Sequence, residues 1–198
     1  MAIIRLTQKL QKEIGIKPSD FNVVSNSSTT FEEWYAHLFF MNRRKYIIFV
    51  ETQTLFSFVV ENVSRKDIRV HLADIFEKGL GRSLFTEGVS SEIMSKMMGV
   101  FRDGIVFANT ESRKTISAMN ECIKHHKYSF YEQDRDVDVQ DCYNRRMPMR
   151  WFPDGSKEYK LSMDVFAATL KGVWDINFKP QEFDFFKESF VIDQEVMF

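Results

Sequence analysis

The chain has 198 residues, of which 44% are hydrophobic and 20 are phenylalanines, so it is long and apolar enough for one domain and is not intrinsically disordered. Its formal net charge of −1 excludes a global field that would recruit nucleic acid or an anionic membrane. Two cysteines are too few for a disulfide scaffold, and no N-terminal segment has the pattern of a secretory signal. No apolar run approaches the roughly 20 residues that span a bilayer. These features predict a cytoplasmic location and no membrane partner.

The N-terminal third predicts two strands separated by a helix and a polar connection. Residues Ala2 to Leu6 favour a short strand, and Thr7 is a candidate N-cap for a helix over Gln8 to Ile14. A polar stretch follows from Lys17 to Thr30. Apolar residues then alternate over Trp34 to Met41, which is typical of a strand.

The stretch from Met41 to Val60, MNRRKYIIFVETQTLFSFVV, predicts a β-hairpin around which the fold is organised. Residues Tyr46 to Val50 are apolar on both faces, so this strand must be covered on both sides. The second strand lies within Leu55 to Val60, and the polar residues Glu51 to Thr54 supply the reversal between the two.

From Arg65 onward the apolar spacing changes to three and four residues, which predicts amphipathic helices. The first helix begins at Arg65 and continues past two glycines to Phe85, and a second covers Ser90 to Met98. Gly104 to Ala108 is a short apolar strand. A long helix follows, whose apolar line is Ile116, Met119, Ile123, His126 and Phe130, with Ser112 or Thr110 as its cap. Tyr159 to Leu161 suggests an edge strand, and Ser162 a cap for the last helix.

Together these elements predict an α+β fold with a mainly antiparallel sheet, organised on the central hairpin, and amphipathic helices packed on it. Mixed pairing remains open where Ile105 to Ala108 enters the sheet. We expect a single domain over residues 1–176. Residues 177–198 form a Phe-rich, acidic extension, which packs either on the domain or on a partner, including a second copy of the chain.

Three motifs support a resemblance to a known family. They are RRKYIIFVETQTLFSF at Arg43 to Phe58, IVFANTESRKTISAMNE at Ile105 to Glu121, and NRRMPM at Asn144 to Met149. With the opening strand and Lys-rich helix, they resemble an uncharacterised family of small bacterial proteins, a domain of unknown function. The resemblance extends from about Ile3 to Leu170 and implies no activity that can be carried over.

The leading candidate site is the strand, turn and helix at Ile105 to Glu121. A helix start with free backbone N–H groups, hydroxyls and a guanidinium suits a phosphate or a carboxylate. Paired arginines from the NRRMPM motif supply a natural second clamp, because guanidinium groups bind oxyanions in a bidentate manner. The predicted ligand-binding residues are Asn109, Thr110, Ser112, Arg113, Arg145 and Arg146. The alternative is ordinary helix capping, with Arg113 in solvent or paired to an acid.

A second candidate is a nucleic-acid surface formed by Arg43, Arg44 and Lys45, with stacking on Trp34, Tyr35 or Tyr46. A basic edge that discourages aggregation is the alternative.

Metal, cofactor and catalytic sites find little support. Cys122 and His126 are four residues apart on a helix, but zinc needs further ligands, so a buried histidine is the preferred interpretation. The segment Asp134 to Arg145 lacks the glycine and glutamate of a calcium loop. The sequence contains no GxSxG nucleophile elbow, no HExxH helix and no P-loop motif. We therefore predict no catalytic residue, no metal and no cofactor. His37 with Glu32 or Glu33 is the one acid–base pair to consider.

The function predicted from the sequence is that of a non-enzymatic binding protein with a local anion-recognising surface, for a phosphate-bearing ligand or nucleic acid. An interaction or regulatory module that uses the Phe-rich tail or an open sheet face is the first alternative. An enzyme of unrecognised type is the second.

Overall fold

The computed structural model describes residues 1–21, 30–132, 144 and 158–181, with the backbone alone for 128–132. The strands are β1 (Ala2–Leu6), β2 (Glu33–Met41), β3 (Arg44–Glu51), β4 (Ser57–Glu61) and β5 (Ile105–Asn109). The helices are α1 (Gln8–Ile14), α2 (Arg65–Thr86), α3 (Ser91–Gly99), α4 (Arg113–Glu132) and α5 (Ser162–Trp174), with a short 3-10 turn at Pro18–Asp20. The predicted α+β class is confirmed.

The sheet is mixed, which corrects the emphasis on antiparallel pairing. Its order is β4-β3-β2-β1-β5. Strand β1 pairs in parallel with both β2 and β5, while β2 with β3 and β3 with β4 are antiparallel. The cause is the connections: α1 lies between β1 and β2, and helices also separate β4 from β5. A helical crossover returns the chain in its original direction, whereas a hairpin reverses it.

The central hairpin forms as predicted, with Phe49 of β3 opposite Phe58 of β4. Its turn differs from an ordinary polar loop, because Glu51 is only 1% exposed. The Glu51 carboxylate accepts hydrogen bonds from the backbone N–H of Gln53 at 3.0 Å and of Thr54 at 2.6 Å, and from the Thr54 hydroxyl at 2.7 Å. Burial raises the pKa of Glu51 to about 7. The turn is therefore closed from inside by a carboxyl group.

Both faces of the sheet carry a hydrophobic core, as the doubly apolar strand β3 requires. On one face, α1, α2, α3 and α5 pack against residues such as Trp34 and Phe49. Phe76 of α2 contacts both rings, at 5.1 Å and 5.2 Å between centroids. Gly79 lets α2 approach β4, since a Cβ there would lie 2.6 Å from the ring of Phe58. On the other face α4 covers a second core.

The segment after α5 begins by folding back on the domain. Ile176 and Phe178 pack against the first core, and the Phe178 ring meets Phe166 edge-on at 6.4 Å. The rest of the predicted extension, from residue 182 onward, lies outside the described residues. Its docking on the domain or on a partner stays a prediction. The expected edge strand at Tyr159 to Leu161 is present as an isolated bridge at Lys160.

Candidate functional site

A buried ion-pair network, which we call the inner corner, links the three parallel strands at the carboxyl end of β1. It consists of Arg5, Glu33, Asn109 and Glu111. The Arg5 side chain is 1% exposed, and its Nε donates to the Glu33 carboxylate. Its Nη1 donates to the Asn109 carbonyl oxygen at 2.8 Å and lies 2.8 Å from Glu111 Oε1. A buried guanidinium with three acceptors holds the strands together.

The predicted ligand-binding residues Asn109 and Ser112 are used inside the fold. The Asn109 side chain accepts a hydrogen bond from Gln11 Nε2 and donates one to the carbonyl oxygen of Pro18, both at 3.1 Å. Ser112 caps α4, because its hydroxyl oxygen accepts from the backbone N–H of Thr115 at 3.2 Å. Its own backbone N–H donates to the Tyr35 hydroxyl at 2.8 Å. Ordinary capping thus describes Ser112.

Of the other four residues of that predicted site, two are described by the structure and two are not. Arg113 is exposed at the first residue of α4 and makes no hydrogen bond or ion pair with the described residues. Thr110 is half-buried beside it. Arg145 and Arg146 lie outside the described residues, so their distance from Arg113 stays a prediction.

Asn144, the first residue of the NRRMPM motif, is buried and fixed to the start of β4. Its side chain accepts from the Ser57 backbone N–H at 2.9 Å and donates to the Ser57 carbonyl oxygen at 2.9 Å. It also donates to the Glu87 carboxylate at 3.1 Å. These bonds hold Asn144 itself against β4 and the end of α2.

The basic triplet begins in the turn between β2 and β3, which holds Arg43, and continues into β3, which starts with Arg44 and Lys45. Arg43 and Arg44 are exposed, whereas the Lys45 ammonium pairs with Glu13 at 2.6 Å. The stacking residues expected beside them are buried, with Trp34, Tyr35 and Tyr46 each at most 2% exposed. Stacking on those three rings is therefore excluded in this fold.

A groove of about 800 Å³ lies between β2 and α4, next to α1, and we call it the lysine groove. It exists because β1 ends at Leu6 while its neighbour β2 continues from His37 to Met41. Its cations and its carboxylate are Lys9, Lys124, Lys127 and Glu121. None of the three ammonium groups forms an ion pair with any described residue.

Helix α4 supplies most of the groove through one face. Ser117, Asn120 and Lys124 are exposed on it and recur at three and four residue intervals, so their side chains point the same way. Arg113 precedes Ser117 by four residues and lies on that face as well, one turn nearer the helix start. The opposite face packs Met119 and Cys122 into the second core.

His37 forms part of the groove wall and is held neutral. One of its ring atoms, Nδ1, lies 2.9 Å from the Thr7 hydroxyl. Burial, followed by the charges of Lys9 and Lys127, lowers the pKa of His37 to about 4. Glu33, one of the two carboxylates considered as an acid–base partner for His37, is bound to Arg5 instead. His37 and Glu121 both line the groove. Its three lysines outnumber this one carboxylate, so the charge of the groove favours an anion.

No metal site emerges from the described part of the chain, where no three histidine, cysteine or acidic side chains come together. Cys122 and His126 are both buried on α4. Burial lowers the pKa of His126 to about 4, which agrees with a neutral core histidine. Of the described helices, none combines the length and apolar character needed to cross a membrane.

A family model described as Domain of unknown function (DUF6933) matches residues 3–165. The chain belongs to this family. The DUF6933 match includes all of β1 except its first residue, β2 to β5, the inner corner and the lysine groove, and it stops within α5. No curated protein and no solved structure matches the chain.

Sequence reasoning missed the lysine groove because its cations are far apart in the chain. Lys9 belongs to α1, whereas Lys124 and Lys127 belong to α4, and only the short β1 brings the two helices to the same cavity. The available signal was the spacing of Asn120, Lys124 and Lys127 on the polar side of a helix. That pattern is common on solvated faces and does not itself indicate a ligand.

Proposed function

We propose that this DUF6933 protein is a non-enzymatic, cytoplasmic binding protein whose lysine groove holds a phosphate-bearing ligand. The observation that carries the proposal is a concave site with three ammonium groups that lack an ion-pair partner among the described residues. The low cysteine count, two in 198 residues, supports a reducing compartment.

Charge balance favours an anion in the groove. Lys9, Lys124 and Lys127 outnumber the single carboxylate of Glu121, and His37 stays neutral at physiological pH. Like charges in one cavity repel, and a bound oxyanion removes that repulsion. Lysine binds phosphate as a point charge, so the site does not require the bidentate geometry of paired arginines.

The groove also supplies neutral donors. The Ser117 hydroxyl and the Asn120 amide lie on the same face of α4 as Lys124. The neutral imidazole of His37 can donate or accept from Nε2, according to which nitrogen carries the proton. Arg113 extends the cationic face of α4 beyond the groove. These groups suit an oxyanion with several oxygen atoms, such as a phosphate.

Calorimetric titration with inorganic pyrophosphate tests the proposal. Lys124→Gln with Lys127→Gln should weaken binding by tenfold or more, since each lysine contact to a phosphate contributes about 1 kcal/mol. Both side chains project from the polar face of α4, so the free energy of unfolding should change by less than about 0.5 kcal/mol.

Lys66→Gln with Lys78→Gln is the matched control, because these exposed lysines lie on α2, across the sheet from α4. It should bind pyrophosphate as the wild type does. Equal affinity in all three proteins, or no binding to the wild type, would refute the proposed site.

A further inference from the structure

We infer that the ligand of the lysine groove is a single-stranded nucleic acid, which leaves the groove over Phe40 and reaches the arginines of the β2–β3 turn. The inference rests on the proposed function, because it uses the same groove. It adds the polymeric nature of the ligand and a second contact surface.

The cationic surface continues beyond the groove along β2. Phe40 belongs to the groove wall, and the turn that carries Arg43 begins only two residues later. Three residues of extended chain span at most about 10 Å, so the turn lies close to the groove mouth. Arg43 and Arg44 are exposed there. Neither guanidinium has an ion-pair partner among the described residues.

Phe40 provides an aromatic surface between the two groups of cations. Its side chain is 43% exposed, unlike those of Trp34, Tyr35 and Tyr46. The Lys9 ammonium lies 4.8 Å from the centre of its ring. Aromatic rings that alternate with cations along an open groove are the usual platform for single strands, because bases stack while phosphates are neutralised. A free phosphate would make no use of the ring.

The turn keeps an arginine where the backbone favours glycine. Asn42 and Arg43 have φ angles of 47° and 63°, the pattern of a type I′ turn between antiparallel strands. Glycine is preferred at the second of these positions, because an L side chain is strained in the left-handed region. Arg43 thus occupies a site that glycine would fill with less strain, which is consistent with use of its side chain.

The test is fluorescence anisotropy with labelled oligothymidylates of increasing length, up to roughly 12 nucleotides, beside pyrophosphate calorimetry. Affinity should rise with length. The double variant Arg43→Gly with Arg44→Gln should bind the longest oligomer about tenfold more weakly and reduce the slope of log affinity against log salt by about 1.4. It should bind pyrophosphate as the wild type does.

Two variants complete the design. Phe40→Leu keeps an apolar side chain but removes the stacking surface, and it should weaken oligomer binding about fivefold. Arg102 is an exposed arginine in the turn before β5, at the other end of the sheet. Its substitution Arg102→Gln should leave oligomer binding unchanged. Thermal unfolding excludes damage to the fold, since Arg43→Gly relieves turn strain and should not lower the melting temperature.

Each other outcome overturns the inference in a recognisable way. Affinity that is independent of length, with pyrophosphate binding intact, would leave a groove for small phosphates alone. Equal competition by polyglutamate of the same length, with no effect of Phe40→Leu, would indicate an acidic peptide instead. Failure of the wild-type protein to bind either pyrophosphate or the oligomers would refute the proposed function itself.

Discussion

The inner corner and the lysine groove both lie at the carboxyl end of β1, yet they use their polar side chains in opposite ways. In the inner corner, Arg5 is buried and its guanidinium is bonded to two carboxylates and a carbonyl oxygen. In the lysine groove, Lys9 and Lys124 are exposed and have no ion-pair partner among the described residues. Polar side chains that gather at a strand end or a helix start therefore do not identify a ligand site by themselves. Partners inside the fold can already occupy their hydrogen-bonding groups.

We expect the greatest loss of stability from a substitution in the inner corner. Arg5→Met should lower the free energy of unfolding by about 3 to 5 kcal/mol, because it leaves the carboxylate of Glu33 without its buried partner. Urea denaturation measures this loss. Arg113→Met, which removes an exposed guanidinium from α4, is the control and should change stability by less than about 0.5 kcal/mol. A loss below about 1 kcal/mol for Arg5→Met would contradict the structural role of the corner.

Glu51 is a second buried ionisable residue, after Arg5 of the inner corner. It ends β3 and lies opposite Trp34, near the start of β2. The folded-state pKa of about 7 is above the ordinary 4.5, so its carboxyl group favours folding most at low pH, and this contribution is lost as pH rises from 4.5 to 7. Glu51→Gln should remove that dependence. The stability difference between variant and wild type should shift by about 3 kcal/mol in favour of the variant over this range.

Denaturation curves at several pH values check the Glu51 prediction. The slope, rather than the absolute stability, is the readout, because glutamine also changes the hydrogen bonds at the turn. A stability difference that stays constant from pH 4.5 to 7 would mean that Glu51 titrates at its ordinary pKa in the folded protein.

The last prediction concerns His37 in the lysine groove, where a ligand should change the pKa of a half-buried group. Its folded-state pKa of about 4 is below the ordinary 6.5, so the stability due to the neutral ring is present above pH 6.5 and is lost as pH falls towards 4. Bound pyrophosphate should raise the pKa of His37, because an anion offsets the charges of Lys9 and Lys127. NMR titration of the imidazole measures both values. A pKa near 6.5 that pyrophosphate does not change would contradict this account of the groove.

Local patterns carried much of the fold prediction. The hairpin was predictable from the apolar runs around Glu51 to Thr54, and α2 and α4 from their apolar spacing. The parallel pairing of β1 with β5 was not, because it joins residues about 100 positions apart and depends on packing of the intervening helices. The burial of Glu51 was also missed, since the letters of a polar turn do not show which side chain points inward.

The candidate site shows the same limit. Asn109, Ser112 and Arg113 were correctly placed at a strand end and a helix start, but the inner partners of Asn109 come from α1 and the 3-10 turn. The sequence does not show that these partners occupy the Asn109 side chain, because they are distant from it in the chain. The lysine groove, in contrast, depends on where β1 stops relative to β2, which is a property of the sheet register.

Amide chemical shifts in the ¹⁵N-labelled protein can show directly whether pyrophosphate binds in the lysine groove. We expect shifts that cluster at His37 to Met41 of β2 and at Ser117 to Lys127 of α4, and that disappear in Lys124→Gln with Lys127→Gln. Shifts concentrated at Asn109 to Ser112, with the groove amides unchanged, would refute the groove and return the anion site to the start of α4.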